Sequence, residues 1–147
     1  MSYLERIQAD LKDAMRGGEV LRRDTLRMLI SGLKNRRIEL GRDLDEADEV
    51  GVLVSAVKSR RDSAEQYERA GRQDLAEKEA AEIAIIEGYL PRQLGEAETR
   101  TLLEGLAREH GLSEKKDLGT LMKAVMARHK AEVDGKLVQR LANEILR

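Results

Sequence analysis

Clustered lysines and arginines are the residues of this 147-residue chain whose type and spacing point most directly to chemistry. Between positions 115 and 140, seven cations face only three carboxylates, those of Asp117, Glu132 and Asp134. Long basic side chains at helix starts and turns reach outward, where they can neutralise nucleic-acid phosphates. We therefore predict a nucleic-acid-binding surface here, with a plain solvated face as the alternative. This basic run consists of Lys115, Lys116, Lys123, Arg128, Lys130, Lys136 and Arg140.

A second basic cluster lies between positions 22 and 42, where only Asp24 and Glu39 oppose the cations. Such a cluster on one helix could follow a phosphate backbone. In a chain with 27 basic and 28 acidic residues, we favour pairing with the acidic third and fourth helices instead. The sequence leaves open whether the cluster is internal or a binding face. The cluster consists of Arg22, Arg23, Arg27, Lys34, Arg36, Arg37 and Arg42, and the expected partners include Glu65, Glu68, Glu77, Glu79 and Glu82.

Residues suited to catalysis or metal binding do not form a recognisable set. The two histidines, His110 and His129, each stand beside a predicted helix end, where a solvated or helix-capping role is usual. Gly135 and Lys136 lack the earlier glycine and the following Ser or Thr of a phosphate-binding loop. Cysteine is absent, which excludes thiolate chemistry. We assign no catalytic, cofactor-binding or metal-binding residue, and we expect neither a cofactor nor an enzymatic activity of its own.

The composition is typical of a helical protein with an aliphatic core. Apolar residues make up 41% of the chain, charged residues 37% and aromatic residues only 2%, and Phe and Trp are absent. The abundant residue types favour helix. A net charge of −1 argues against indiscriminate binding of polyanions, so that local patches must decide. Because cysteine, a signal-peptide core and a long apolar run are all lacking, we expect a cytoplasmic protein without a membrane partner.

Helical periodicity and turn residues predict the elements that hold these groups. Four amphipathic stretches precede Pro91, which is the only proline, and three shorter ones follow it. Proline disfavours helix at the residue before it, so the stretch Ile86–Leu94 should join two units. The predicted fold is all-α, with an N-terminal domain of about four helices at 1–90 and a C-terminal three-helix bundle at 91–147. The predicted N-caps include Ser2, Asp45 and Asp134.

Several stretches resemble the YqeY proteins of the GatB/YqeY family. They are Lys58-Ser-Arg-Arg-Asp-Ser-Ala-Glu-Gln-Tyr67, Ala70-Gly-Arg-Gln-Asp-Leu-Ala-Glu-Lys-Glu79, Tyr89-Leu-Pro-Arg-Gln-Leu94, Lys115-Lys-Asp-Leu-Gly119 and Asp134-Gly-Lys-Leu-Val138. The resemblance implies an all-helical protein whose C-terminal domain is similar to the tail of GatB, a component of the glutamine-dependent aspartyl/glutamyl-tRNA amidotransferase. In that enzyme the tail contacts tRNA. One departure is Ala131-Glu132-Val133, where family members often carry a Gly-Arg-Ala-like turn, and the added Glu weakens the local positive charge.

The residues and the resemblance rank three functional hypotheses. The first is a tRNA-binding accessory module, related to the GatB component of the amidotransferase but without its own catalytic centre. The second is a helical protein–protein adaptor, which the charge-rich helical faces favour. The third is carbon–nitrogen ligase activity with glutamine as amido-N-donor, implied by the family's label alone. The expected partners are therefore tRNA and a protein, and the oligomeric state is left open.

Overall fold

The protein is entirely helical in its computed structural model, which describes residues 1–147. Seven α-helices and one turn of 3-10 helix are present, and there is no strand. The predicted all-α fold is confirmed, with four α-helices before Pro91 and three after it. None of the helices combines the length and apolar character needed to cross a membrane. The elements are α1 Tyr3–Arg16, α2 Val20–Leu40, α3 Glu46–Arg69, α4 Gln73–Glu87, α5 Glu96–His110, the 3-10 turn Lys115–Asp117, α6 Leu118–His129 and α7 Gly135–Ile145.

The chain divides into two compact units, Met1–Leu90 and Pro91–Arg147. The N-terminal unit holds α1 to α4, and each of these four helices contributes to a single aliphatic core. Apolar residues recur at helical spacing along each helix, so that one stripe per helix is buried. The fully or almost fully buried residues of this core are Ile7, Ala14, Leu26, Leu29, Leu33, Leu53, Val57 and Ile86.

Short-range capping interactions set the helix ends of the N-terminal unit. The Asp45 carboxylate accepts the Asp48 backbone N–H at 2.8 Å, and the Asp48 carboxylate accepts the Asp45 N–H at 3.0 Å. These two bonds satisfy free donors at the start of α3. Hydrogen bonding from the Arg42 guanidinium, and then from the Asp45 N–H, lowers the pKa of Asp48 to about 2. Gly41 ends α2 with φ 67°, a left-handed conformation that glycine adopts without strain.

A buried ion pair joins α3 to α4. Arg60 Nε donates to Glu82 Oε2 at 2.9 Å, and Arg60 Nη1 donates to the Ala56 carbonyl at 3.1 Å. The two charged side chains are only 10% and 12% exposed. Burial, together with the nearby Glu82 charge, raises the pKa of Glu79 on the same helix. The hairpin of α3 and α4 therefore has a charged centre within an otherwise aliphatic unit.

The C-terminal unit is a three-helix bundle with its own core. The Asp134 carboxylate caps α7 by accepting the Lys136 backbone N–H at 3.1 Å. The Leu94 N–H donates to the Glu132 carbonyl at 2.7 Å, which ties the segment after Pro91 to the connection between α6 and α7. The core consists of Leu103, Leu106, Ala107, Leu121, Val125, Val133, Val138, Leu141, Ala142 and Leu146.

Candidate nucleic-acid interface

The helix α6 carries the centre of the predicted basic run and no carboxylate. Residues 118–131 contain no Asp or Glu, although acidic residues slightly outnumber basic ones in the chain as a whole. Lys123, Arg128 and Lys130 are all exposed. None of the three forms an ion pair or a side-chain hydrogen bond with the rest of the chain. Their positive charges therefore remain available to an external anion.

Two of these cations share one side of α6. Lys123 and Lys130 are seven residues apart, which is close to two helical turns. Gly119, Thr120 and Ala127 lie within about 60° of Lys123 around the helix axis and are also exposed. A Cβ placed on Gly119 would meet nothing within 4 Å. Small side chains on either side of Lys123 leave the helix surface open there to the close approach of a second molecule.

The basic residues just before α6 are partly engaged within the bundle. Lys116 Nζ lies 3.1 Å from Glu114 Oε2, but both side chains are well exposed, so the pair contributes little. The Lys115 ammonium donates to the Asn143 carbonyl near the end of α7. The Lys115 backbone N–H donates to the Arg147 carbonyl at 3.1 Å. Lys115 therefore has a structural role, whereas Lys116 can exchange its partner for an external anion.

The structure draws Arg140 into an ion-pair network on the bundle surface. Arg140 pairs with Glu96 of α5 and, at 3.1 Å, with Glu144 of its own helix. Glu144 also accepts Arg100 Nη2 at 2.6 Å, and these arginines lower its pKa, Arg100 foremost. Lys136, in the first turn of α7, has an exposed side chain. Arg140 is thus the member of the predicted set least able to meet a phosphate.

The histidines lie where the sequence predicts, at helix ends. His110 is the last residue of α5 and His129 the last of α6. His129 Nδ1 lies 3.1 Å from Glu132 Oε2, so the carboxylate that departs from the family pattern is directed at an imidazole of its own turn. No group of three or more His, Asp or Glu side chains is arranged to hold a metal ion.

The cations of α2 pair locally rather than as expected. Each carboxylate partner lies within six residues of its arginine, in α2 itself, in the turns at its ends or, for Arg42, in the first turn of α3. Glu82, one of the expected partners, instead binds Arg60. Arg27 and Lys34 have no carboxylate partner. The favoured pairing with α3 and α4 is therefore found only for Arg42, which binds Asp48 of α3, and none of the α2 cations binds Glu68, Glu77, Glu79 or Glu82. The pairs are Arg22–Glu19 (3.3 Å), Arg23–Asp24 (3.0 Å), Arg36–Glu39 (2.9 Å), Arg37–Asp43 (2.8 Å) and Arg42–Asp48 (2.6 Å).

Sequence inspection missed the buried Arg60 within a motif that carries the family resemblance. Arg60 follows Leu53 and Val57 at helical spacing, on the buried side of α3. A cation at a buried position of the helical pattern predicts a buried ion pair, because an unpaired charge is rarely buried. The partner, Glu82, could not be inferred from the same pattern because it lies on another helix.

Comparison with known proteins places the chain in a family. A family model described as "Yqey-like protein" matches residues 4–146. The chain belongs to the YqeY-like family. The predicted resemblance is confirmed, and it covers almost the full length of this YqeY-like chain.

Several curated relatives of this YqeY-like chain share one description, "Altered inheritance of mitochondria protein 41, mitochondrial". The protein of Lachancea thermotolerans is 41% identical over 93 residues, which are 60% of this chain and 50% of the relative. That of Kluyveromyces lactis is 40% identical over 91 residues, 59% of this chain and 49% of the relative. That of Pyrenophora tritici-repentis is 31% identical over 151 residues, 97% of this chain and 80% of the relative. The chain thus spans about half the length of the first two relatives.

These relatives overturn the predicted cytoplasmic location. They are described as mitochondrial proteins, so the expectation drawn from the sequence is wrong. The physical reason lies in the two features used. Lack of cysteine bears on disulfide formation, which does not distinguish one reducing compartment from another. A search for an apolar leader does not address mitochondrial targeting segments, which are amphipathic and arginine-rich.

Proposed function

We propose that this YqeY-like protein binds RNA, and tRNA in particular, through the exposed basic face of α6 and the turns beside it. The observation that carries the proposal is the uncompensated charge of residues 118–131. Lys123, Arg128 and Lys130 are exposed there without a carboxylate partner, in a stretch that has no acidic residue. Lys116 extends the basic surface just before α6.

Selective exposure of these cations supports a binding role over a plain solvated face. Elsewhere the chain pairs most of its arginines with nearby carboxylates, as the five pairs around α2 and the Arg140 network illustrate. A helix that is left without any carboxylate departs from this pattern. Phosphates would supply the missing negative charge, because each neutralised phosphate releases condensed counterions.

The kind of polyanion is suggested by the family and by the residue types. The family resemblance implies that the C-terminal domain is similar to the tail of GatB in the amidotransferase, and this favours tRNA. Aromatic residues make up only 2% of the chain, so stacking of unpaired bases cannot dominate recognition. Contacts to the phosphate backbone should therefore prevail, and binding should depend on salt and tolerate changes in base sequence.

A charge-reversal experiment tests the proposal. Lys123→Glu with Lys130→Glu should weaken the binding of a fluorescently labelled tRNA transcript by at least about tenfold at low salt. The slope of log affinity against log salt should fall by about 1.4–1.8, because two phosphate contacts are lost. The thermal midpoint should be almost unchanged, since both side chains are exposed.

The matched control is Lys12→Glu with Lys58→Glu, which makes the same change in net charge at two exposed, unpaired lysines of the N-terminal unit. The control should leave most of the binding and the salt slope intact. Two results would contradict the proposal: no measurable binding of tRNA at low salt, or an equal loss of binding in the control and in the α6 variant.

A further inference from the structure

The most exposed large apolar side chains of the protein are concentrated along one helix. Apart from Met1, the residues of this kind are Met15, Val20, Met28 and Ile38, with exposed fractions of 51%, 56%, 60% and 77%. Three of them belong to α2, and Met15 lies at the end of α1. The C-terminal unit has no comparable residue. A grouped set of exposed apolar side chains marks a surface that another molecule covers.

The spacing of these residues places them on one side of α2. Val20 and Ile38 are eighteen residues apart, which is five helical turns and about 27 Å. Arg27 and Lys34 fall within about 60° of the same line along the helix. Met28 lies beside it, with its sulfur 3.6 Å from Arg60 Nη2. We call this set of residues, from Val20 to Ile38, the outer face of α2.

A groove at each end of the outer face combines an apolar side chain with cations. The larger groove has a volume of about 640 Å³ and is lined by Lys34, Arg37, Ile38, Gly41, Arg42 and Asp43. The smaller groove has a volume of about 120 Å³ and is lined by Ala14, Met15, Gly18, Glu19, Val20, Arg23 and Arg27. Each groove therefore offers apolar contact and positive charge together.

The charge of the outer face is not balanced by the protein itself. Most cations of the cluster form an ion pair, but Arg27 and Lys34 form none; the carboxylate nearest to Arg27, that of Asp24, is bound by Arg23. The single contact of the Arg27 guanidinium is a 4.0 Å approach to the Met15 sulfur. An occupant of this face must therefore present apolar side chains together with negative charge.

We propose that the outer face of α2 docks an acidic amphipathic helix of a protein partner, about 18 residues long. Apolar side chains of that helix would cover Val20, Met28 and Ile38, while its carboxylates would meet Arg27 and Lys34. The methionines suit such a site because their flexible, polarizable side chains adapt to a partner. The proposal concerns the N-terminal unit and does not depend on RNA binding by α6.

Other occupants fit the outer face less well. RNA would satisfy the cations but would leave the 77% exposed Ile38 without an apolar partner. Helices that bind a membrane surface present a continuous apolar face, whereas charged residues lie between Val20, Met28 and Ile38. In a symmetric pair of this chain, the same basic face would lie against itself.

The test uses a pair of synthetic helical peptides against the full chain. Both peptides carry leucine at helical spacing, and one carries glutamate beside the leucines where the other carries glutamine. Fluorescence anisotropy should give binding of the glutamate peptide that weakens with salt, and the glutamine peptide should bind about tenfold more weakly. Arg27→Glu with Lys34→Glu should reduce binding of the glutamate peptide by about tenfold or more, and so should Ile38→Ser.

The matched control is again Lys12→Glu with Lys58→Glu, which should leave peptide binding unchanged. Every variant should have the same thermal midpoint of unfolding as the parent protein. Equal binding of the two peptides, or no binding at millimolar peptide, would overturn the proposal. The proposal would also be overturned if the Arg27/Lys34 variant lost binding to tRNA or to anionic vesicles but still bound the glutamate peptide. Light scattering that shows a dimer dissociated by Ile38→Ser would assign the face to a second copy instead.

Discussion

Tyr89 shows how one residue of a family motif is tied into the N-terminal unit. Its hydroxyl donates a hydrogen bond to the Asp10 carboxylate of α1. Its ring lies 5.4 Å from the Arg6 guanidinium carbon, which also lies 5.5 Å from the Tyr3 ring. Burial, and then the hydrogen bond to Asp10, raises the pKa of Tyr89 well above its ordinary value. The motif tyrosine thus links the end of α4 to α1 by a polar and an aromatic contact.

Tyr89→Phe should lower the free energy of unfolding by about 1–2 kcal/mol near neutral pH, because the Asp10 carboxylate loses a donor. The folded state holds the phenolic proton more tightly than the unfolded state. Its contribution is therefore fully present below the unfolded pKa of about 10 and is lost as pH rises towards the raised folded pKa. Urea titrations of both proteins should give a stability difference that narrows above about pH 10.

Tyr67→Phe is the control for this experiment, since the Tyr67 hydroxyl makes no hydrogen bond within the chain. That variant should stay close to the parent protein across the same pH range. A stability difference for Tyr89→Phe that is absent at neutral pH, or that widens in alkali, would contradict the assigned hydrogen bond.

At the scale of single elements, the helices could be predicted from sequence because their signals are local. The N-caps Ser2, Asp45 and Asp134 are confirmed by side-chain bonds to backbone N–H groups two or three residues away. Such a bond needs only the cap residue and the start of the helix. The aliphatic cores could likewise be anticipated from apolar residues at helical spacing.

Contacts between elements could not be predicted in the same way. The sequence favours distant glutamates as partners of this basic cluster, yet Arg37 binds Asp43 in the turn after α2 and Arg42 binds Asp48 in the first turn of α3. Arginine side chains are long and flexible, so each can bind any carboxylate within its reach. A helical wheel gives the direction of a side chain around the helix but not the carboxylate that it contacts. The exposed apolar side chains of α2 are not apparent from the sequence for a related reason. Periodicity indicates that one stripe of apolar residues is buried, but it does not show which apolar residues of the helix stay exposed.

The Arg60–Glu82 bond joins α3 to α4 by two buried charges. Arg60→Ala should cost about 3–5 kcal/mol of the free energy of unfolding, because Glu82 would be left charged and buried. The double variant Arg60→Met with Glu82→Leu should recover most of that loss, since it removes both charges and keeps side-chain volume. Urea denaturation monitored by circular dichroism measures both.

The matched control for this pair is Arg92→Ala, which breaks the exposed pair with Glu98 and should cost less than about 1 kcal/mol. If Arg60→Ala were as mild as this control, water or a shifted side chain would be compensating Glu82. The buried charges would then have no bearing on how α3 and α4 pack.

At the scale of the whole molecule, a net charge of −1 conceals two surfaces with unbalanced positive charge. One is the face of α6 in the C-terminal unit, and the other is the outer face of α2 in the N-terminal unit. They differ in their neighbours, since small residues lie on either side of Lys123 while exposed apolar residues accompany Arg27 and Lys34. This difference is why we assign phosphates to the first surface and a protein helix to the second.

The two hydrophobic clusters suggest that the units lose structure separately. One cluster is built from residues before Pro91 and the other from residues after it. Leu141 is fully buried in the second, so Leu141→Ala should cost about 2–5 kcal/mol there. A unit of the size of Pro91–Arg147 has little stability to spare, so this loss should open it while the N-terminal unit stays folded.

Hydrogen exchange measured by mass spectrometry on the full chain checks this expectation. Leu141→Ala should lower protection in α5, α6 and α7 and leave α1 to α4 at parental values. Leu53→Ala, at an equally buried site of the N-terminal core, should lower protection in α1 to α4 and leave α5, α6 and α7 at parental values. If either substitution lowered protection in both units to the same extent, the two clusters would belong to one cooperative structure, and the chain would unfold as a single domain.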